Sequence, residues 1–276
     1  MFQGEFWFTP DGGFWINVIA GVITAILVSI IVFTFIKLWK FSFVKLAFDR
    51  FWGSDNTRRD KTYIVIDLLT NVANPASGRY IYKLKPNTLL TGPTEVVGDC
   101  NPRAVQYIAT TFAKVTEIDP VARFDTEVQN IWEANLICLG SDASNLKTHA
   151  ILSHACNKYA QFVDNGDAIK WLPTGDKFTL KDGKDKGLIL KVKNPYFKEY
   201  WVIVCAGLNV WGSSGAAFYV ARHWREIEKR FGRDEFAMIV NVAHRSDESA
   251  EEIIATPDSR KPSLLYKLFT CQILNC

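Results

Sequence analysis

The stretch FWINVIAGVITAILVSIIVFTFI, residues 14–36, decides how the rest of this 276-residue chain is organised. It contains no charged residue and no proline, and polar side chains such as Asn17 and Thr24 are few. A helix rises 1.5 Å per residue, so about 20 apolar residues span the hydrocarbon core of a bilayer. We therefore predict a transmembrane helix over residues 14–36, preceded by a short extracytoplasmic amino terminus over residues 1–13.

The charges on the two sides of this stretch orient it. Residues 1–13 carry Glu5 and Asp11 but no lysine or arginine, whereas residues 37–61 are rich in both basic types. The basic flank of a membrane helix stays in the cytoplasm. The following sequence KLWKFSF has no small-residue cleavage site, so the segment is a retained anchor. We expect a single-pass protein of the inner (cytoplasmic) membrane with a cytoplasmic carboxy-terminal domain.

Asn17, Gly21 and Thr24 recur at i, i+4 and i+7 and therefore share one face of the helix. Small and polar residues on one face pack membrane helices together or line a narrow pore. The alternative is an anchor that faces lipid all round and tolerates a few polar groups. Both interpretations are open at this stage.

Residues 37–60 form a juxtamembrane helix and a polar linker by their composition. Apolar side chains cover nearly the whole circumference of the helical part, unlike a lone interfacial helix with one charged face. We therefore expect Phe41, Phe48 and Trp52 to contact neighbouring subunits as well as lipid.

Composition limits the function of the remaining chain. A net charge of +3 is too small to indicate bulk nucleic-acid binding. The six cysteines include no CxxC pair, and Cys138 and Cys205 lie in apolar runs, as expected of reduced, buried thiols. His149 and His154 lie on different faces of a predicted helix, so no metal site and no cofactor are predicted.

Residues 61–276 alternate short apolar runs with helical patterns, which predicts a cytosolic α/β domain with a largely parallel, Rossmann-like sheet. Helices are expected after Asn101-Pro102, from about Ser144 and after Gly212, with Asn101 as a cap. A β meander is predicted over 165–193 and a short helix over 247–252. The predicted strands are 63–69, 79–84, 135–139, 200–205 and 235–244.

The best candidate site is the loop AGLNVWGSSGAA, residues 206–217. The spacing of Gly207, Gly212 and Ser213 matches a phosphate loop, except that a serine stands where the lysine is expected. Such a loop holds a phosphate without the charge needed to hydrolyse a triphosphate. Trp211 can stack on a base and Asn209 can hydrogen-bond one. The alternative is a tight strand-to-helix turn capped by Ser213.

Two more loops follow predicted strands of the same sheet. Ligands in such sheets sit at the carboxyl ends of the strands, so these loops are expected to converge with the first one. The predicted ligand-binding residues of all three loops are Gly207, Asn209, Trp211, Gly212, Ser213, Ser214, Gly92, Thr94, Asp99, Asn101, Gly140, Ser141 and Asn145.

The serines also allow a hydrolase interpretation. A nucleophile elbow reads G-x-S-x-G, and Gly212 to Ala216 misses that frame by one residue. Ser213 or Ser214 would act on a nucleotide or an ester, with a histidine and an acid from the following sequence. No set of catalytic residues can be assigned from the spacing.

A single anchor followed by a Rossmann-like domain with a GLNVWGSSGAA loop resembles bacterial membrane effectors of antiphage defence. In that family a cytosolic nucleotide-sensing domain, SLOG-like or CARF-like, controls a transmembrane part that disrupts the membrane. The chain lacks the PGGxGTxxE signature of the enzymatic LOG phosphoribohydrolases, so the resemblance implies nucleotide binding rather than cleavage. It also implies a homo-oligomer, for which we expect a tetramer.

Three functions are therefore open. The first is an effector in which a nucleotide or oligonucleotide signal gates a homo-oligomeric pore of residues 14–36. The second is a membrane-anchored hydrolase that uses Ser213 or Ser214. The third is an interaction scaffold with neither ligand nor pore.

Overall fold

The computed structural model describes residues 10–53, 61–67, 69–70, 95–96, 100–116, 120–181 and 183–256. The chain divides into two compact units, Met1–Leu46 and Ala47–Cys276. The predicted strand 79–84 and the predicted site residues Gly92, Thr94 and Asp99 lie outside the described residues.

The first unit is built on helix α1, Pro10–Trp52. Among the described residues it is the one helix that is long and apolar enough to cross a membrane, by length and composition. Side chains from Phe14 to Trp39 are exposed in the single chain, those of Asn17, Gly21 and Thr24 included. The hydroxyls of Ser29 and Thr34 donate to the carbonyls of Ala25 and Ile30, which satisfies them within the helix.

The second unit is an α/β domain, as predicted. Its helices are α2 (Cys100–Val115), α3 (Leu146–Leu152) and α4 (Val210–Phe231). Its strands are β1 (Thr62–Ile66), β2 (Leu69–Thr70), β3 (Glu95–Val96), β4 (Val121–Phe124), β5 (Asn135–Leu139), β6 (Ala160–Val163), β7 (Ala168–Trp171), β8 (Lys177–Thr179), β9 (Lys184–Lys193), β10 (Trp201–Gly207), β11 (Phe236–Ala243) and β12 (Ser246–Thr256).

Seven strands form the central sheet in the order β12-β11-β9-β10-β5-β1-β4. The pairs β4–β1, β1–β5 and β5–β10 are parallel, whereas β10–β9, β9–β11 and β11–β12 are antiparallel. The sheet is therefore mixed, and its parallel half is the part that the alternation of strands and helices predicted. The carboxyl ends of the parallel strands share one edge with the start of β9 and the β11–β12 turn.

Two elements differ from the prediction. Residues 247–252 form part of β12 rather than a helix, because Arg245 adopts a positive φ of 62° and turns the chain back along β11. Tertiary strand pairing overrides the local helix preference of alanine and glutamate. The predicted meander over 165–193 is split, since β7 and β8 pair with β6 in a three-stranded sheet while β9 joins the central one.

The last turns of α1 belong to the core of the second unit. Phe48, Phe51 and Trp52 are at most 1% exposed. The ring of Phe48 lies 4.8 Å from that of Phe112 in α2 and 5.2 Å from that of Trp224 in α4. The interpretation of Phe48 and Trp52 as contacts to neighbouring subunits or lipid is therefore wrong, because these rings complete the domain's own core.

Cys138 and Cys205 are free and buried, as predicted. They lie on the neighbouring central strands β5 and β10. Burial raises the pKa of both thiols, which suits inert core residues.

Candidate functional site

The carboxyl edge of the parallel strands is where α/β sheets bind ligands. From β1 the chain passes to β4 on one side and then to β5 on the other, so the direction of winding reverses between β1 and β5. This is the topological switch point of the sheet.

At the switch point, the carboxylate of Asp67 follows β1 and is 4% exposed. It accepts a hydrogen bond from the side chain of Asn101 in the first turn of α2. Burial raises the pKa of Asp67, while hydrogen bonds from Asn101 and Ser144 oppose that rise. Asn101 is thus a buried partner of Asp67 rather than the predicted helix cap, since α2 already begins at Cys100.

The loop after β5 is used by the fold itself. Gly140 has a φ of +110°, and a Cβ there would lie 2.9 Å from the hydroxyl of Ser144. The side-chain oxygen of Asn145 accepts from the amides of Lys147 and Thr148 and caps α3. Its side-chain amide donates to the carbonyls of Val65 and Leu139 at 3.1 and 2.9 Å. The Asn145 side chain therefore links β1, β5 and α3. Its oxygen and its amide group are both used by these bonds and are not free for a ligand.

The loop after β10 binds a carboxylate of the protein itself at the position predicted for a phosphate. The buried carboxylate of Asp185, at the start of β9, accepts from the amide of Gly212 at 2.6 Å and from that of Asn209 at 3.2 Å. It also accepts from the amide of Lys186 at 2.7 Å. The amides of Asn209 and Gly212, at the start of α4, are the ones that a phosphate loop would turn toward a phosphate. Burial raises the pKa of Asp185, and the donated backbone hydrogen bonds oppose that rise.

The glycines of this loop have a packing role. A Cβ on Gly212 would lie 2.3 Å from the carbonyl oxygen of Lys186, and one on Gly207 would lie 2.3 Å from the amide nitrogen of Ser213. The absence of a Cβ at these two positions lets the start of α4 lie directly on β9 and on β10, the strand that precedes it. The spacing that resembles a phosphate loop thus follows from close backbone packing.

The two serines are inside α4 and are buried, Ser213 at 4% and Ser214 at 0% exposure. Ser213 is therefore not the cap of α4; Asn209 occupies that position. Within the described chain, the hydroxyl of Ser214 contacts the Asp247 carboxylate, the Val210 carbonyl and the Arg103 guanidinium. No histidine is among these partners, so the base that a serine nucleophile needs is not in place.

Trp211 and Asn209 face a cavity of about 470 Å³ at this edge. The guanidinium of Arg103 lies 4.1 Å from the centroid of the Trp211 ring, and the ring of His244 lies 5.6 Å from it. Two exposed lysines line the same cavity, Lys181 of the β8–β9 connection and Lys184 at the start of β9. The lining residues are Leu180, Lys181, Gly183, Lys184, Asp185, Asn209, Val210, Trp211 and His244.

An ionic network fixes the Trp211 side of this cavity. Arg103 of α2 pairs with the buried carboxylate of Asp247 of β12 at 3.1 Å. The hydroxyl of Tyr107 donates to the same carboxylate at 3.0 Å. Burial, and to a smaller extent this hydrogen bond, raise the pKa of Tyr107 to about 12. The network thus ties α2, α4 and β12 together beside the cavity.

The structure therefore brings together the predicted residues Asn209 and Trp211. Separately, it places Asn101 and Gly140 beside Asp67, while Ser141 contacts Ser144, which bonds Asp67. Sequence reasoning missed Arg103, Lys181, Lys184, Asp185 and His244. No local motif marks them, because they come from α2, the β8–β9 connection, the start of β9 and the β11–β12 turn. In the described ranges no group of three metal-ligating side chains is present.

A comparison with protein-family models, with curated proteins and with solved structures found no match to this chain. Two features of the described residues bear on function, the apolar helix α1 and the cavity lined by Trp211 and two lysines.

Proposed function

We propose that this protein is a single-pass membrane effector whose Rossmann-like carboxy-terminal domain binds a nucleotide or oligonucleotide in the Trp211 cavity. Binding would gate a homo-oligomeric pore built from residues 14–36. The observation that carries the proposal is the meeting of Trp211 and Asn209 with Lys181, Lys184 and His244 around one cavity.

These residue types match the chemistry of a nucleotide. An indole ring stacks on any base, and such stacking contributes about 1–3 kcal/mol per base. Lysine ammonium groups pair with phosphate, and the exposed Asn209 side chain can hydrogen-bond a base edge. Lys181 and Lys184, which line the same cavity as the loop, would thus supply the positive charge that the loop itself lacks. The phosphate would contact Lys181 and Lys184 rather than the loop amides, which Asp185 occupies.

A route from the cavity to α1 supports the gating part. Helices α2 and α4 both begin beside the cavity, with Arg103 and Trp211 in contact. Farther along, Phe112 of α2 and Trp224 of α4 both pack on Phe48. A ligand that moves the first turns of these two helices would therefore act on the packing of α1's last turns.

The membrane part of the proposal uses the exposed face of α1. Asn17, Gly21 and Thr24 are exposed in the single chain and would face the equivalent residues of other copies, in an assembly taken as a tetramer. We place α1 in the inner membrane with its amino terminus outside. The role in antiphage defence rests on the resemblance of this architecture to membrane effectors of that kind.

The direct test is calorimetry on the detergent-solubilised full chain with a panel of cyclic and linear oligonucleotides and mononucleotides. A binding member of the panel should bind about tenfold or more weakly to Trp211→Ala, because one stacking contact is lost. Lys181→Ala with Lys184→Ala should weaken it similarly. Lys198→Ala removes an exposed charge beyond the opposite edge of the sheet and should have no effect.

A chain that binds nothing in the panel would refute the sensor. The pore is tested separately by ion flux across liposomes that contain the full chain, with and without the bound member. Flux that does not respond to the ligand would refute gating, and flux that Asn17→Leu leaves unchanged would refute the assigned pore face.

The hydrolase remains the second candidate only on the strength of its motif. Ser214 is fully buried and bonded to a carboxylate rather than to an imidazole. Substitution of both serines by alanine should therefore leave ligand turnover unchanged, and a loss of turnover would favour the enzyme.

A further inference from the structure

A second concave surface lies on the α2–α4 side of the domain and shares no lining residue with the Trp211 cavity. It is a groove of about 770 Å³ between the two helices. Exposed basic side chains line its rim, namely Lys114 on α2 and Arg222 and Arg225 on α4, while Phe218 and the buried Trp224 form an apolar part of the lining. The lining of the groove therefore combines positively charged and apolar side chains.

The charge of this groove is uncompensated in the part of the chain that the structure describes. None of the ion pairs found there uses Lys114, Arg222 or Arg225. Glu226 is the one acidic residue among the groove's lining residues. The groove thus attracts an anion, and its apolar part favours a ligand that also has an apolar portion.

The groove also adjoins the point where α1 enters the domain. Trp224, which lines the groove, packs on Phe48 of α1 at 5.2 Å between ring centroids. Upstream of Phe48, large apolar side chains of α1 are exposed as far as Leu46, including Trp39 and Phe43 at 55%. Exposed aromatic residues at the end of a membrane helix sit at the level of the lipid headgroups. Along the chain, only a few residues separate these exposed side chains from Phe48.

We propose that the groove between α2 and α4 binds the phosphate headgroup of an anionic phospholipid. Lys114, Arg222 and Arg225 would contact the phosphate, and the Trp224 and Phe218 surface would cover the start of the acyl chains. A basic residue near an anionic membrane surface strengthens binding by about fivefold. The proposal needs α1 in a membrane but does not need a ligand at Trp211, so the two proposals stand or fail separately.

The test is native mass spectrometry of the full chain in detergent, titrated with phosphatidylglycerol or phosphatidylcholine. Wild-type protein should retain phosphatidylglycerol in preference. A triple variant, Lys114→Ala with Arg222→Ala and Arg225→Ala, should lose that preference, by about fivefold for each charge. The matched control removes three basic residues elsewhere on the domain, as Arg123→Ala, Lys170→Ala and Lys198→Ala, and should keep the preference.

Equal losses in the two triple variants would overturn the site, because net charge alone would then explain the binding. An unchanged preference in the groove variant would overturn it too. Inorganic phosphate is the competing arm: if it binds the groove and displaces the lipid at equal concentration, the site is one for free phosphate and not for a headgroup. Arg222→Gln, which removes the charge but keeps a polar side chain, is measured in parallel and should show the single fivefold loss even if the triple variant unfolds.

Discussion

The two edges of the central sheet are filled in opposite ways. At the amino edge of the parallel strands, Phe48, Phe51 and Trp52 close the core with rings from α2, α4 and β11. At the carboxyl edge, carboxylates such as Asp67 and Asp185 are each bonded to several donors. Packed apolar side chains make no hydrogen bonds that a ligand could replace. The groups of a polar network can exchange one hydrogen-bond partner for a ligand. The first edge therefore holds α1 and the second offers a site.

The largest effect is expected at the amino edge. Phe48→Ala removes a fully buried ring that contacts Phe112 and Trp224, so the free energy of unfolding should fall by about 3–5 kcal/mol. Denaturant unfolding of the full chain in detergent measures this. Phe43→Ala, at an exposed position of the same helix, is the control, and a loss as large there would break the comparison.

A smaller effect is expected at the carboxyl edge. Asp185→Ala leaves the amides of Asn209, Gly212 and Lys186 without their acceptor, which should cost about 1–3 kcal/mol. Thermal unfolding measures the loss, and Asp167→Ala, at an exposed turn, should have none. Added sulfate should restore part of the stability of the Asp185→Ala variant by occupying the vacated amides. Equal stability of the variant and the wild type would show that these bonds are replaced by water.

The third effect depends on pH and concerns a charge at the amino edge. Lys191 is fully buried, and its ammonium group lies 5.0 Å from the Phe51 ring and 4.5 Å from the Trp201 ring. Burial lowers its pKa to about 7, so between pH 7 and the ordinary lysine value the unfolded chain holds more protons than the folded one. The contribution of Lys191 to stability should therefore rise as the pH is raised above 7, by at most about 1.4 kcal/mol per pH unit.

Denaturant unfolding at a series of pH values tests this sign. Lys191→Met should flatten the slope above pH 7, whereas Lys198→Met, which is exposed, should leave it unchanged. An equal slope in the wild type and in Lys191→Met would mean that Lys191 stays charged in the folded core. In that case the aromatic edge would be more polar than its rings imply.

Local sequence was a good guide where one element decides its own form. The run Asn135–Leu139 is apolar after its first residue and is a strand with those bounds. Asn101-Pro102 marks the start of α2 to within two residues. The region 247–252 went wrong because its pairing with β11 depends on a turn at Arg245 that no neighbouring residue announces. The same applies to Phe48, whose partners lie more than 60 residues away in the chain.

The candidate site was only half visible in the sequence. Asn209 and Trp211 stand in one loop, and their types and spacing indicated a base-binding role. Asp185, Arg103 and the two lysines reach that loop from three other segments, so their contribution depends on strand order. The glycine pattern was ambiguous for a physical reason: an amide-rich turn that accepts a phosphate and one that packs closely on a strand require the same small residues.

By itself the sequence determined the apolar helix α1, the α/β class and the buried thiols, because each follows from the hydrophobic pattern of contiguous residues. The tertiary structure alone decided that α1 ends inside the domain core, that Asp185 fills the anion position, and that lysines stand beside Trp211. Those facts depend on contacts between distant segments, and such contacts are set by the order of strands in the sheet.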